Sequence, residues 1–272
     1  MARGREVGRQ KRLHILDDHE IDDLYGLPRF TPDERQLYFT LTAAEQAVCR
    51  RLRSLPSQVS FILQLGYFKA KQQFFTLTFA QVADDVAAIL ARHFPPEIRA
   101  AFAPITKPAR LSQRAIIQEL FGYRPCHAVE RGQLFERAQQ LARLSTKPLY
   151  LFRELLRYLS EKRLILPGYT TMQELIGKAL TIEQRRVNDI LRAQLSPADM
   201  AALDQLIAET DGMYLVTRLK HEPSDFRLKG MRAEVGRGDT LRPLYHLAMR
   251  VVPQLEISPD AVAYYASLAD YY

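Results

Sequence analysis

Cysteine is scarce in this chain of 272 residues, which carries only Cys49 and Cys126. Two cysteines do not make a disulfide scaffold, and neither has a neighbouring cysteine with which to form a zinc-type pair. That usage fits a reduced, intracellular setting. Long apolar runs are missing as well: no stretch reaches the roughly 18 residues of a membrane span. The basic start MARGREVGRQKRLH is followed, after only Ile15 and Leu16, by DDHEIDD, without the apolar core of about 7 to 15 residues found in a secretory signal. No membrane partner is expected. There is no repeat of constant period, and apolar–polar alternation is confined to two short candidates for extended structure, residues 164–166 and 213–216.

The arrangements that carry catalysis are also missing. Gly230, Gly236 and Gly238 lie among charged residues without the Lys-Ser or Lys-Thr that closes a phosphate-binding loop, and Gly236 to Gly238 reads as a helix end or turn. The histidines (His14, His19, His93, His127, His221 and His246) are dispersed, with no HExxH pair. Cys126-His127 places a thiol beside an imidazole, but adjacent residues at a helix start point in different directions. Asp17, Asp18, Asp22 and Asp23 lack the glycine turn and terminal glutamate of a calcium loop and fit an acidic helix N-terminus. No catalytic residue, metal site, cofactor or small-molecule substrate is expected.

What the chain does have is core-forming material and a localised charge. It is 47% hydrophobic and 25% charged, which excludes disordered and collagen-like classes. Its formal net charge is +7, with a pI near 9.4. Residues 1–100 carry 14 Lys and Arg against 12 Asp and Glu, residues 101–168 carry 12 against 5, and residues 169–272 carry 12 against 14. The excess of +7 therefore lies within 101–168, with a smaller concentration in the tail at Arg3, Arg5, Arg9, Lys11 and Arg12. Such a footprint suits a polyanion; a solvated basic face that binds nothing is the competing reading.

Helix starts are marked by their caps. Thr31-Pro32-Asp33-Glu34 and Thr42-Ala43-Ala44-Glu45 are capping boxes, and Ser196-Pro197 and Ser258-Pro259 open helices in the same way. Apolar residues recur at helical spacing over 61–68, 82–90 and 152–159, and over a long amphipathic stretch from about 171 to 194. Proline and glycine break the pattern near 95, 104–108, 123–125 and 167–168. The fold class is all-α, as tandem helical modules of helix-turn-helix character. Three modules are expected: 1–100 with its basic tail, 101–168 as the basic module, and 169–272 for further DNA contact or for packing.

Three basic clusters are candidates for DNA. On a predicted helix over 109–121, Arg110 and Arg114 stand four apart beside Ser112 and Gln113, with Ile116, Ile117 and Leu120 behind them. Guanidinium and short polar groups outward over aliphatic anchors is the make-up of a groove-entering helix. A helix over 148–161 sets Tyr150, Arg153 and Arg157 opposite its apolar stripe, with Lys147 before it and Lys162 and Arg163 after, a spread suited to phosphates. Glu154 and Glu161 compete for those arginines. The third cluster is Arg50, Arg51 and Arg53 with Lys69 and Lys71. Phe74, Phe75 and Phe79 fit a core better than base stacking; the tyrosine pairs 264–265 and 271–272 have no assigned role.

Several blocks in fixed order resemble one protein family. ILDDHEIDDLYGLPRFTPDERQLYFTLT (15–42), SFILQLGYFKAKQQFF (60–75), RAIIQELFGYRP (114–125), LILPGYTTMQELIGKAL (164–180), DGMYLVTRLKHEPSDF (211–226), MRAEVGRG (231–238) and SPDAVAYYASLADYY (258–272) are similar to the N-terminal region of transposases of the Tn-three family of replicative bacterial transposons. That resemblance implies a helical region that recognises terminal inverted repeats, followed in the family by an RNase-H-like domain with three acidic metal ligands. Family members continue for several hundred residues beyond the last block. The expectation is therefore a recognition part without the DDE-type catalytic domain, not itself an enzyme. It implies double-stranded DNA of transposon ends as partner, a second copy as a further candidate partner, and a cytoplasmic, nucleoid-associated bacterial setting. The alternative function is a helical dimerisation or assembly module whose basic face is incidental.

Overall fold

The computed structural model describes residues 13–95, 105–210, 212–220 and 227–268. The basic tail at Arg3 to Arg12 and the tyrosine pair 271–272 lie outside them. The described residues are all-α apart from one two-residue hairpin and one isolated bridge.

In the first compact unit, residues 1–134 and 153–174, short capped helices surround a buried one. The helices α1 (Asp18–Tyr25), α2 (Pro32–Tyr38) and α3 (Ala43–Arg51) each open on a capping box, at Asp17, Thr31 and Thr42. At α2, for example, the Glu34 amide donates to Thr31 Oγ1 and the Thr31 amide donates to the Glu34 carboxylate, which satisfies two donors the helix cannot. Helix α4 (Leu55–Lys71) is buried without interruption from Val59 to Phe68. A helix apolar on all sides belongs inside a bundle, and α4 packs against α2, α3, α5 (Phe79–His93) and α6 (Lys107–Phe121). Gly66 allows α4 a close approach to Phe39, since a Cβ there would stand 2.4 Å from the Phe39 ring.

Asp85 anchors one set of paired polar groups inside this core, whereas the buried Tyr25 hydroxyl has no hydrogen-bond partner among the described residues. Asp85 accepts from Arg35 Nε at 2.7 Å and from the Tyr67 hydroxyl, and burial followed by that carboxylate pushes the Tyr67 hydroxyl pKa up. Helix α6 ends at Gly122, whose φ of 66° is the left-handed cap that glycine accepts at least cost. After it, Arg124 pairs in parallel with Leu164, so the 164–166 candidate supplies a single bridge. The start of the described chain is tied down by the Leu16 amide donating to the Tyr169 hydroxyl at 3.0 Å and by Gln173 Nε2 donating to the Leu13 carbonyl at 2.7 Å.

The second unit comprises residues 135–152 and 175–272. The division falls within α7 (Ala128–Leu144), α8 (Pro148–Glu161) and α9 (Tyr169–Gln194), not at the proline-rich breaks. The second unit adds α10 (Pro197–Leu206), the strands β1 (Glu209–Thr210) and β2 (Met213–Tyr214), α11 (Leu215–Lys220), α12 (Leu228–Val251), a 3-10 turn (Val252–Leu255) and α13 (Pro259–Leu268). Ion pairs hold parts of it: Arg186 bridges Glu183 and the Leu255 carbonyl, each at 2.7 Å, and Arg250 meets Asp199 at 2.7 Å. Ser196 and then Arg250 hold the Asp199 carboxyl at about 2.

One sequence expectation fails here. Gly236 and Gly238, expected at a helix end, lie inside α12 together with Pro243. A single internal glycine costs about 1 kcal/mol relative to alanine. The buried Val251 and the half-buried Leu244 and Leu247 on another face supply packing to offset it.

Candidate nucleic-acid interface

Helix α6 does not present the face its sequence suggests. Gln113 is 2% exposed; its Oε1 accepts from Gln64 Nε2 at 2.7 Å and its Nε2 donates to the Ser57 carbonyl at 2.9 Å. Arg114 is turned inward as well. Its Nη2 donates to the Phe75 carbonyl at 2.9 Å, its Nε reaches Gln64 Oε1 at 3.4 Å, and its guanidinium lies 5.1 Å from the Phe74 ring centroid. Burial and then the Arg110 charge lower its pKa, yet a guanidinium stays charged at any physiological pH. The side facing solvent is Lys107, Leu111, Ser112, Ala115 and Glu119, with one cation at its start and one carboxylate near its end; Arg110 is half-buried. Of the three aliphatic anchors expected behind this face, Ile117 is buried, Ile116 is half-buried and Leu120 is exposed.

Two further candidates also hold the fold. Lys69 Nζ donates to the Thr40 carbonyl and to the buried Glu45 carboxylate, both at 2.9 Å. Lys71 Nζ donates to the Asp23 carbonyl. Arg50, Arg51 and Arg53, at the end of α3 and before α4, are exposed, and no ion pair of theirs is found among the described residues.

Helix α8 keeps the arrangement expected of it. Leu151, Phe152, Leu155 and Leu159 are buried, while Tyr150, Arg153 and Arg157, at steps of three and four, are exposed on the opposite side with Lys147 before them. Arg157 lies 3.3 Å from Glu154, but its side chain is 70% exposed, and a solvent-facing pair of that kind contributes about 0 to 1 kcal/mol. It is therefore released at little cost. Lys162 and Arg163 follow, both exposed. Arg163 has a φ of 49°, and its Nη1 donates to the Phe121 carbonyl at 3.4 Å.

The bridge after α6 brings in a cation that sequence reasoning missed. The Arg124 amide donates to the Arg163 carbonyl at 2.9 Å and the Ile165 amide donates to the Arg124 carbonyl at 2.9 Å, so exposed Arg124 joins Lys162 and Arg163. Nothing local in the sequence announces a pairing across this separation. In chemical terms, α8 and the segment after it offer point charges and guanidinium forks over an exposed tyrosine. Those groups suit phosphate oxygens.

The family described as Domain of unknown function (DUF4158) matches residues 15–179, more than half of the chain. The chain belongs to this family. It is also similar to a transposase for transposon Tn21 of Escherichia coli, 24% identical over 212 residues, covering 74% of this chain and 20% of that protein. The chain thus spans about a fifth of that relative's length. The DUF4158 match runs from α1 into α9 and takes in α6, α8, Arg124 and the Arg50 to Arg53 cluster; α10 to α13 lie beyond it. Among the described residues, no three His, Cys, Asp or Glu side chains stand together as metal ligands, and no helix is long and apolar enough to cross a membrane.

Proposed function

We propose that this chain binds double-stranded DNA at the terminal inverted repeats of a transposon, as the recognition part of a replicative transposase. The observation that carries the reading is the set of exposed cations Arg153, Arg157, Lys162, Arg163 and Arg124, against which the nearby carboxylates are Glu154, paired with Arg157, and exposed Glu161. These residues grip phosphates, with Lys147 extending the row and the Tyr150 hydroxyl adding a hydrogen bond. Arg50, Arg51 and Arg53 form a second phosphate cluster. Base contacts fall to Arg110 and Ser112, because Gln113 and Arg114 are committed inside the fold. The similarity to the Tn21 transposase supports transposon ends as the DNA.

Fluorescence anisotropy with a terminal-repeat duplex and a scrambled duplex, over a range of salt, tests this. Tighter binding to the repeat, falling steeply with salt, is expected. Equal affinity for the two duplexes overturns the specificity, and no binding at low salt overturns the reading as a whole.

A further inference from the structure

Helix α12 leaves an apolar seam uncovered. Leu228, Met231, Val235, Tyr245 and Met249 are exposed, as is Val252 just past its end, where φ −58° and ψ −42° continue the helical path. With Gly238 and Arg242, these positions advance in alternating steps of three and four residues from 228 to 252. That spacing is the a and d seam of a heptad repeat. The helix is held to its own chain by a different face, through Val251, Leu244 and Leu247. The seam is about 36 Å long at 1.5 Å per residue.

We propose that the seam is a contact with a second copy of the chain, α12 pairing with itself in antiparallel. The pattern is self-complementary about Thr240. Leu228 then meets Val252 of the second copy, Met231 meets Met249, Val235 meets Tyr245 and Gly238 meets Arg242, and the two-fold repeats each layer. The central layer sets the longest polar side chain against the residue with none: a Cβ at Gly238 would meet nothing within 4 Å, so Arg242 has room to lie across it. Arg242 and Asp239 are both exposed and 3.5 Å apart within one helix. In the pair each Asp239 carboxylate, close to the two-fold, lies between the Arg242 guanidinium of its own helix and that of the other.

A parallel pair would place Arg242 against Arg242 and Gly238 against Gly238, a like-charge contact beside a void. One charged residue at a single seam position selects orientation and register in this way. The surface is narrow and lies at the small end of specific interfaces, so association is expected at micromolar concentrations. This inference is independent of the DNA reading.

Sedimentation of the 272-residue chain without DNA, from about 1 to about 100 µM, should show the mean mass rising toward that of a dimer. Val235→Glu with Tyr245→Glu sets carboxylates face to face and should leave a monomer throughout, with an unchanged circular dichroism spectrum because both side chains are exposed. In a Cys126→Ser background, oxidation should cross-link a mixture of Met231→Cys and Met249→Cys chains but neither alone, since equivalent positions lie about 27 Å apart in this register. Three results would overturn the proposal: a monomer at every concentration, dimers that survive the two glutamates, or Met231→Cys chains that cross-link by themselves as readily as the mixture.

Discussion

A polar side chain on an amphipathic helix is judged from sequence by the face it shares, and in α6 that rule misleads at Gln113 and Arg114. Each finds its partners 39 to 56 residues earlier in the chain, a separation at which no periodicity operates. Their substitution should therefore act through the fold. Gln113→Ala removes the shortest hydrogen bond of the buried Gln64 amide and the donor to the Ser57 carbonyl and is expected to cost about 1 to 3 kcal/mol, read as a lower urea midpoint with little change in the DNA affinity of the folded fraction. Uniform loss of binding at unchanged stability would return Gln113 to the interface. A second residue sets a pH dependence. His93 Nε2 donates to the Phe39 carbonyl at 2.8 Å, and burial lowers its pKa despite that bond. Because the folded pKa lies below the unfolded one, the stability is complete above about pH 6.5 and is lost as pH falls toward the folded value. Thermal melting between about pH 7.5 and 5 should show this decline, and His93→Gln, which keeps a donor for Phe39, should make it shallower.

Elements were more legible than single side-chain partners. The caps at Thr31, Thr42, Ser196 and Ser258 all sit at observed helix starts, because a cap is a local bond between residues three apart and needs no knowledge of the fold. Helix α8 is observed over Pro148–Glu161, the span its apolar stripe predicts. Helix α12 was hidden, since Gly236 and Gly238 read as a helix end or turn, and Pro243 inside it lacks the amide donor that a helix interior uses. At this scale α8 gives a clean test: Arg153→Ala and Arg157→Ala remove exposed charge without opening the core. The double variant should melt within a degree or two of the wild type yet bind every duplex more weakly, with the salt slope reduced by about 0.9 for each phosphate that is no longer neutralised. A lowered melting point with an unchanged slope would mean that these arginines stabilise α8 and do not touch DNA.

For the molecule as a whole, the proline-rich breaks near 95 and 168 invite division into three consecutive modules, whereas the compact units are interleaved along the chain and divide within α7, α8 and α9. The physical reason is visible in α4. Its buried surface is closed on one side by α6, through Ile117 and through the Gln64–Gln113 hydrogen bond, so residues 1–100 leave that side open. A fragment of residues 1–100 would expose Phe68, which packs on Phe121 and Tyr123 at centroid distances of 5.5 and 5.3 Å, and would leave the Gln64 amide without its outside partner. Such a fragment is expected to keep much of its helical far-ultraviolet signal while unfolding without a cooperative transition and binding a hydrophobic dye, the behaviour of a chain whose specific packing is absent. Extending it to residue 174 restores α6 and Tyr169 and should recover a cooperative melt. If residues 1–100 alone melt cooperatively and exclude the dye, the bundle is self-sufficient without α6, and the module boundary belongs at the proline break after α5.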